Sequence, residues 1–266
     1  MGCGAQHEME ISMRQRPIAA LARPPALLAL LAIACVSWST AGESTTYFTV
    51  EKTCPIGGER FEHADVGSDT RWGALPDGMP LGAGSYPFRP PQCPGNGLVM
   101  YRDFKPAELV TLEALLVSPD YARWRAAKET MYYLAFETAK RLGDPPTDQA
   151  WLLLQATWEA KNDDDQARAD RYNAQFAALV ASLPAEPDSM TMVALRARAA
   201  NALRELGRMA EAEAMRAGTT VSAAAGGAHP EDVDNRKGWA AMLKKLAAPI
   251  ARGDRSRAPS DLTPQR

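Results

Sequence analysis

The chain has 266 residues, of which 46% are hydrophobic and 23% are charged, and its 30 basic and 32 acidic side chains give a formal net charge of −2 at pH 7. This composition excludes a disordered chain, a collagen and a strongly basic nucleic-acid-binding protein. The length predicts one large domain or two small ones.

The first 41 residues have the pattern of a bacterial secretory signal peptide. Three arginines precede an apolar run of eleven residues, Ala26–Val36, which is long enough for export and too short to span a bilayer. Ser39 and Ala41 are the small residues that cleavage requires, so we expect cleavage after Ala41 and a periplasmic or secreted protein. Met1 and Met13 are both candidate starts, because the segment before Met13 looks like an extension from an upstream start codon.

Two other fates of this segment stay open. Cys35 stands in an imperfect lipoprotein pattern, which predicts its acylation, and an uncleaved segment would act as a membrane anchor. Removal of residues 1–41 takes away three basic and two acidic side chains and leaves 27 basic and 30 acidic ones. A surface so close to neutral gives no drive toward nucleic acid or anionic lipid. We therefore expect no nucleic-acid partner, and membrane attachment only through Cys35 or a retained segment.

Residues 42–104 are expected to form a small β-rich part. Thr46–Val50 and Gly97–Tyr101 are β-prone, and the glycine- and proline-rich chain between them disfavours helix. This part holds Cys54 and Cys93, the two cysteines that remain after cleavage. An oxidising compartment makes them a natural pair.

Helical spacing of apolar residues begins at about residue 105. We expect a helical domain over residues 105–216, and over residues 217–266 a flexible linker, one amphipathic helix and a disordered tail that starts at Gly253. Gly143 predicts a helix end, and Thr147 or Asp148 predicts the cap of the next helix. The predicted fold class is α+β, mostly α. The predicted apolar faces are Leu109/Leu112/Leu115/Leu116, Tyr132/Phe136/Ala139/Leu142, Trp151/Leu154/Trp158, Tyr172/Phe176/Leu179/Val180/Leu183, Leu195/Ala199/Ala202/Leu203/Leu206 and Trp239/Met242/Leu243/Leu246/Ile250.

The helical part shows weak internal similarity. Ala139–Gly143 resembles Ala202–Gly207, and the two glycines lie 64 residues apart, close to two periods of the tetratricopeptide repeat of about 34 residues. Small residues at Ala199 and Ala202 would let paired helices approach closely. We expect either a tetratricopeptide-like stack or an irregular helical bundle.

Two Cys-Pro turns carry a chemical signature. Cys54-Pro55-Ile56-Gly57 and Cys93-Pro94-Gly95-Asn96 each resemble a zinc knuckle in which glycine or asparagine stands in place of the second cysteine. These turns, Phe61 and the order of β-rich and helical parts resemble the bacterial family domain of unknown function 2225 over about residues 48–160. The resemblance implies a degenerate zinc-ribbon-like part followed by tetratricopeptide-like helices, and it implies architecture more than activity.

The resemblance also bears on the two cysteines. Knuckles that face one zinc hold their sulfurs within a few ångströms, so the remaining Cys54 and Cys93 are expected near bonding distance. A disulfide would close a loop of 40 residues, which is worth about 4 kcal/mol in the chain-entropy account. We expect this disulfide and no bound metal. The alternatives are free or redox-active thiols and a metal completed by His63 or an acid.

Other patterns fail as catalytic or cofactor sites. His63 and His229 are the only histidines after residue 41 and no nucleophile motif accompanies them, so we expect His63 in a solvated turn. Asp163–Asp165 lacks the alternating ligands of a calcium loop, and Gly82–Ser85 lacks the lysine and the helix of a phosphate loop. We expect no catalytic residues and no cofactor.

Elimination favours a non-enzymatic interaction module of the envelope that binds an unknown protein or peptide. The aromatic residues that could line a groove in the helical part are Trp124, Tyr132, Tyr133, Trp151 and Trp158. The alternatives are a metal- or redox-responsive envelope protein and an enzyme with a site assembled from scattered residues. A cleft with paired, pKa-shifted acids would favour the enzyme.

Overall fold

The computed structural model describes residues 44–262. The expected signal peptide over residues 1–41, its cleavage site and Cys35 lie outside the described residues. Within the described part, no helix is both long and apolar enough to cross a membrane.

Two small antiparallel sheets form the N-terminal part. The strands are β1 (Thr46–Thr53), β2 (Arg60–Ser68), β3 (Arg71–Ala74) and β4 (Pro80–Gly82). β1 pairs with β2 in a long hairpin, and β3 pairs with β4 in a short one. The β-prone segment Gly97–Tyr101 contributes one isolated bridge, between Val99 and Gln92, instead of a strand. Gly97 has a φ of +77°, and this turn conformation interrupts the extended chain.

A 3₁₀ turn and eight helices follow in the described chain, which confirms the α+β, mostly α fold class. After the turn at Pro106–Glu108 the helices are α1 (Leu109–Leu116), α2 (Pro119–Ala126), α3 (Met131–Leu142), α4 (Pro146–Asn162), α5 (Gln166–Ser182), α6 (Met190–Glu205), α7 (Met209–Ala217) and α8 (Pro230–Ala251). Helix α2 was not expected, because its composition is mostly polar and only Tyr121 is buried.

The helix ends follow local chemistry with one exception. Gly143 takes a φ of +74° and ends α3 as predicted, because a left-handed residue is easiest for glycine. Asp165 starts α5 by accepting a hydrogen bond from the backbone N–H of Arg168 at 2.9 Å. The predicted cap of α4 at Thr147 or Asp148 is wrong. That helix begins at Pro146, whose fixed φ and missing N–H suit the first turn.

Helices that follow one another in sequence pack against one another from α3 to α7, and α8 closes the stack against α6 and α7. The fully buried Ala197, Ala199 and Ala200 line α6 and let its neighbours approach closely. A second, smaller apolar cluster joins the β part to α1. It contains Cys54, Cys93, Leu98 and Leu112.

The C-terminal segment is ordered through Leu262, so the expectation of a disordered tail from Gly253 is wrong for the described residues. The buried guanidinium of Arg204 donates hydrogen bonds to the carbonyls of Asp254 and Ser256, at 2.5 and 2.9 Å. Leu262 packs against the main core. Polar composition misleads here because a buried arginine needs acceptors, and the backbone carbonyls of the tail supply them.

Candidate functional site

The two Cys-Pro turns face each other and are joined by a disulfide between Cys54 and Cys93, as predicted, with Cα atoms 5.6 Å apart. Each turn closes on its own backbone: the N–H of Cys54 donates to the carbonyl of Glu59 at 2.8 Å, and the N–H of Cys93 to that of Leu98 at 2.9 Å. Both cysteines are buried. The turns therefore form one compact, cross-linked unit.

Asn96, at the position of a missing knuckle cysteine, links the two turns by hydrogen bonds. Its Nδ2 donates to the carbonyl of Ile56 at 3.0 Å, and its Oδ1 accepts from the N–H of Leu98 at 2.9 Å. The carboxylate of Glu59 accepts from the N–H of Gly95 at 2.8 Å. Within residues 44–262, no three His, Cys, Asp or Glu side chains are grouped as metal ligands would be.

A cleft of about 790 Å³ separates the β1–β2 hairpin and the loop over residues 85–94 from the facing ends of α3 and α4. Its lining residues include Tyr47, Phe61, Glu62, His63, Ala64, Asp65, Val66, Tyr86, Phe88, Arg89, Met131, Glu159, Asn162 and Asp163. His63 is a half-buried residue of β2 and faces this cleft, so its expected place in a solvated turn is wrong. The loop is fixed to the helices because Tyr132 donates from its hydroxyl to the carbonyl of Phe88 at 2.7 Å.

The surroundings of Glu159, an acid in the lining of this cleft, shift its pKa. Burial raises its pKa to about 7, against the opposing effects of hydrogen bonds from the N–H of Tyr132 and the hydroxyl of Thr130 and of the charge of Arg89. The backbone N–H of Tyr132 lies 2.8 Å from the carboxylate. Glu159 therefore caps the first turn of α3 from a neighbouring helix, and it changes its charge near neutral pH.

The five aromatic residues predicted to line a groove lie elsewhere. Tyr133 and Trp158 are buried in the core, and Trp124, Tyr132 and Trp151 are half-buried and pack against it. None of them lines the cleft, which runs along the hairpin. Glu159 could not be identified from the sequence, because an acid inside an amphipathic helix has no pattern that separates a cleft residue from a solvated one.

A buried ion cluster joins the β part to the helices. The ammonium of Lys161 lies 2.7 Å from the carboxylates of Asp77 and Glu205, and all three side chains are at most 6% exposed. Burial acts to lower the pKa of Lys161, but the two carboxylates outweigh it and raise the pKa above its usual value. Because each charge has a close partner of opposite sign, the cluster has the arrangement of a structural ion network.

No family model, curated protein or solved structure matches the chain. The likeness to domain of unknown function 2225 therefore depends on the two Cys-Pro turns, Phe61 and the order of the parts. Fold and site together define a mainly helical protein with a disulfide-linked β part and one large cleft between the two.

Proposed function

We propose that this protein is an exported, non-enzymatic binding module and that its cleft receives an extended, basic segment of a protein partner. The observation that carries this proposal is the contact between the cleft and six consecutive residues of β2, Phe61–Val66. Successive side chains of a strand point to opposite faces. A cleft that touches six in a row therefore lies along the edge of the strand.

This edge of β2 has no strand beside it in the described chain, because the sheet has only two strands and β1 occupies the other edge. Unpaired N–H and C=O groups along an edge can pair with an added strand. Tyr47 of β1 is 53% exposed, lines the cleft and offers an apolar contact at its rim. These features suit an extended peptide better than a folded surface.

The charges of the cleft favour a basic segment. Its lining carries four carboxyl groups, those of Glu62, Asp65, Glu159 and Asp163, and one guanidinium, that of Arg89. Asp65 is paired with Lys52 at 3.7 Å, and Glu159 is partly protonated near neutral pH, so Glu62 and Asp163 contribute most of the available negative charge. Complementary charge speeds encounter and rejects acidic competitors. Lysine or arginine side chains beside the added strand would meet these acids.

The two alternative functions have less support. The cysteine sulfurs are buried, which favours a structural disulfide over a redox-responsive one. The raised pKa of Glu159 is a property of many catalytic acids. Its carboxylate is, however, occupied in capping α3 through Tyr132. The hydroxyl of Ser85 also lines the cleft, but in the described chain no hydrogen bond joins it to Glu159 or His63.

A peptide-binding measurement tests the proposal. Fluorescently labelled extended peptides, matched except for lysine or glutamate at alternate positions, are titrated against the purified protein. We expect the lysine peptides to bind more tightly, with an affinity that falls with added salt. The substitutions Glu62→Lys and Asp65→Lys should weaken this binding several-fold.

Glu113→Lys is the matched control, because Glu113 is an exposed acid of α1 outside the cleft. Equal binding of lysine and glutamate peptides, or equal losses in the control and the cleft variants, would show that the cleft is not the binding site.

A further inference from the structure

A second pocket, distinct from the cleft, surrounds an arginine that has no carboxylate partner. It has a volume of about 330 Å³ and lies where the β3–β4 turn meets α6 and α8. Its apolar lining residues are Ala74, Leu75, Pro76, Trp239, Met242 and Leu262, and the polar side chains of Asp234 and Asn235 complete one side. The guanidinium of Arg198 lies at its wall.

Arg198 is held between two indole rings. Its guanidinium carbon lies 4.8 Å from the ring centroid of Trp151 on α4 and 4.8 Å from that of Trp239 on α8. Gly78 lies against it, and a Cβ at that position would come within 2.1 Å of the guanidinium Nε. The position of the cation is therefore fixed by packing from three sides.

The hydrogen bonding of Arg198 is incomplete. Its Nε is buried without a partner, and its Nη1 makes a long hydrogen bond of 3.4 Å to the carbonyl of Ala194. In the described chain no carboxylate lies within ion-pair distance of it. The two nearby acids are engaged elsewhere, Asp77 with Lys161 at 2.7 Å and the exposed Asp234 with Lys237 at 3.1 Å.

Burial lowers the pKa of Arg198 to about 10, so the group keeps its charge at neutral pH. A buried, charged guanidinium without an anion is costly, and removal of the charge is often neutral or stabilising. Groups that are kept at such a cost are common where a protein binds a ligand.

We propose that this pocket binds a small organic carboxylate, whose anionic group pairs with Arg198 and whose apolar body packs against Trp239 and Met242. A planar guanidinium matches the two oxygens of a carboxylate. The lining has one guanidinium, that of Arg198, and one carboxylate, that of Asp234, which is paired with Lys237 at 3.1 Å. One available cation beside apolar walls suits a monoanion with a hydrocarbon body better than phosphate, which needs more donors. The volume admits a small molecule and not a folded partner.

The test uses phenylacetate as the probe, with neutral phenylacetamide and inorganic phosphate as comparisons. Each is titrated into the purified protein, and binding is followed by calorimetry and by tryptophan fluorescence, since Trp151 and Trp239 flank the cation. We expect saturable binding of phenylacetate in the millimolar range or tighter. Phenylacetamide should bind about tenfold more weakly.

Two variants separate the ligand site from a structural role. Arg198→Met should abolish the preference for the carboxylate while leaving the thermal midpoint of the free protein unchanged or raised. Met242→Glu should weaken the binding of phenylacetate, because it places a second negative charge in the pocket while Arg198 itself is unchanged. Lys244→Met removes an exposed charge from the same helix as Trp239 and should change nothing.

Three results would overturn the proposal. One is the absence of saturable phenylacetate binding, or equal binding of the acid and the amide. Another is a preference for phosphate, which would define a different anion site. The third is an unchanged carboxylate preference in a folded Arg198→Met or Met242→Glu variant. If Arg198→Met fails to fold, the Met242→Glu result decides.

Discussion

The pKa shifts of Glu159, Arg198 and Lys161 depend on the residue type and on the partners of each group. Burial raises the pKa of Glu159 to about 7, since the donors around it are too weak to compensate. It lowers the pKa of Arg198, because within the described residues no carboxylate reaches ion-pair distance and the charge of Asp77 opposes burial only in part. For Lys161 two carboxylates at 2.7 Å reverse the effect of burial and raise the pKa. Residue type therefore decides the direction in which burial shifts a pKa, upward for an acid and downward for a base, and close partners of opposite charge can reverse that direction, as they do for Lys161.

Glu159 predicts a pH-dependent stability. Folding raises its pKa from 4.5 to about 7, so the folded chain binds this proton more tightly than the unfolded chain does. The stabilisation is complete below the unfolded pKa and is lost as the pH rises through the folded one, by about 3 kcal/mol at most. As the pH is raised from acidic to mildly basic, the stability of Glu159→Gln should therefore increase relative to that of the original protein.

Urea unfolding of both proteins across that pH range measures the difference. Glu113→Gln, at an exposed position of α1, is the control, and its stability should equal that of the original protein at every pH. A stability difference between Glu159→Gln and the original protein that does not change with pH would contradict the predicted titration.

At the scale of elements, each Cys-Pro turn is closed by its own backbone hydrogen bond, but the two turns are held together by the disulfide and by side-chain hydrogen bonds between them. The hydrogen bonds of Asn96 and Glu59 join the turns across the disulfide. Few fully buried side chains lie below them, since the local cluster has Cys54, Cys93, Leu98 and Leu112 as its buried members in the described chain and is otherwise covered by half-buried residues such as Phe61 and Phe104. The β part therefore depends on the covalent bond more than the helical stack does.

The double substitution of Cys54 and Cys93 by serine should lower the free energy of unfolding by about 4 kcal/mol, because the bond closes a 40-residue loop in the unfolded chain. Thermal unfolding under oxidising conditions measures this effect. Reduction of the original protein should reproduce most of the loss and leave the double variant unaffected. Two reactive thiols in the native, oxidised protein would refute the disulfide.

Across the whole molecule, buried polar contacts join segments that are distant in sequence. Lys161 links the β3–β4 turn through Asp77 to α6 through Glu205. Arg204, which precedes Glu205 on α6, donates hydrogen bonds to backbone carbonyls of the C-terminal segment. Removal of one member leaves its partners buried and uncompensated, which costs more than the intact network contributes.

Lys161→Met should destabilise the protein by about 3 to 5 kcal/mol, because it removes the close cation of two buried carboxylates and leaves Glu205 with only the more distant Arg204, at 3.7 Å. Guanidinium unfolding measures the loss. Addition of Asp77→Asn and Glu205→Gln to the same chain should restore part of the stability. Lys244→Met, at an exposed position of α8, serves as the control, and an equal effect of both lysine substitutions would refute the role of the cluster.

Deletion of residues 253–266 should cost about 1 to 3 kcal/mol, because Arg204 loses the carbonyls of Asp254 and Ser256. Deletion of residues 263–266 alone keeps both carbonyls and is the matched control. Thermal unfolding compares the two. Identical midpoints would mean that the ordered tail contributes nothing to stability.

The sequence by itself determined the features that depend on neighbours along the chain. Helical spacing identified the apolar faces of α1 and α3–α6, Gly143 marked a helix end, and glycine and proline kept helices out of the region before Pro106. Because Cys54 and Cys93 are the two cysteines after residue 41, the sequence predicted that they pair with each other. Each of these follows from backbone preference or from short-range periodicity.

Only the tertiary structure decided which polar residues lie together. The edge of β2 faces a cleft, Glu159 caps a helix other than its own, and Arg198 lies between indoles of two other helices. The tail looked disordered because its own composition is polar, yet its carbonyls satisfy an arginine some 50 residues earlier in the chain. Contacts over such separations depend on how whole elements pack, and no local pattern of residue types encodes them.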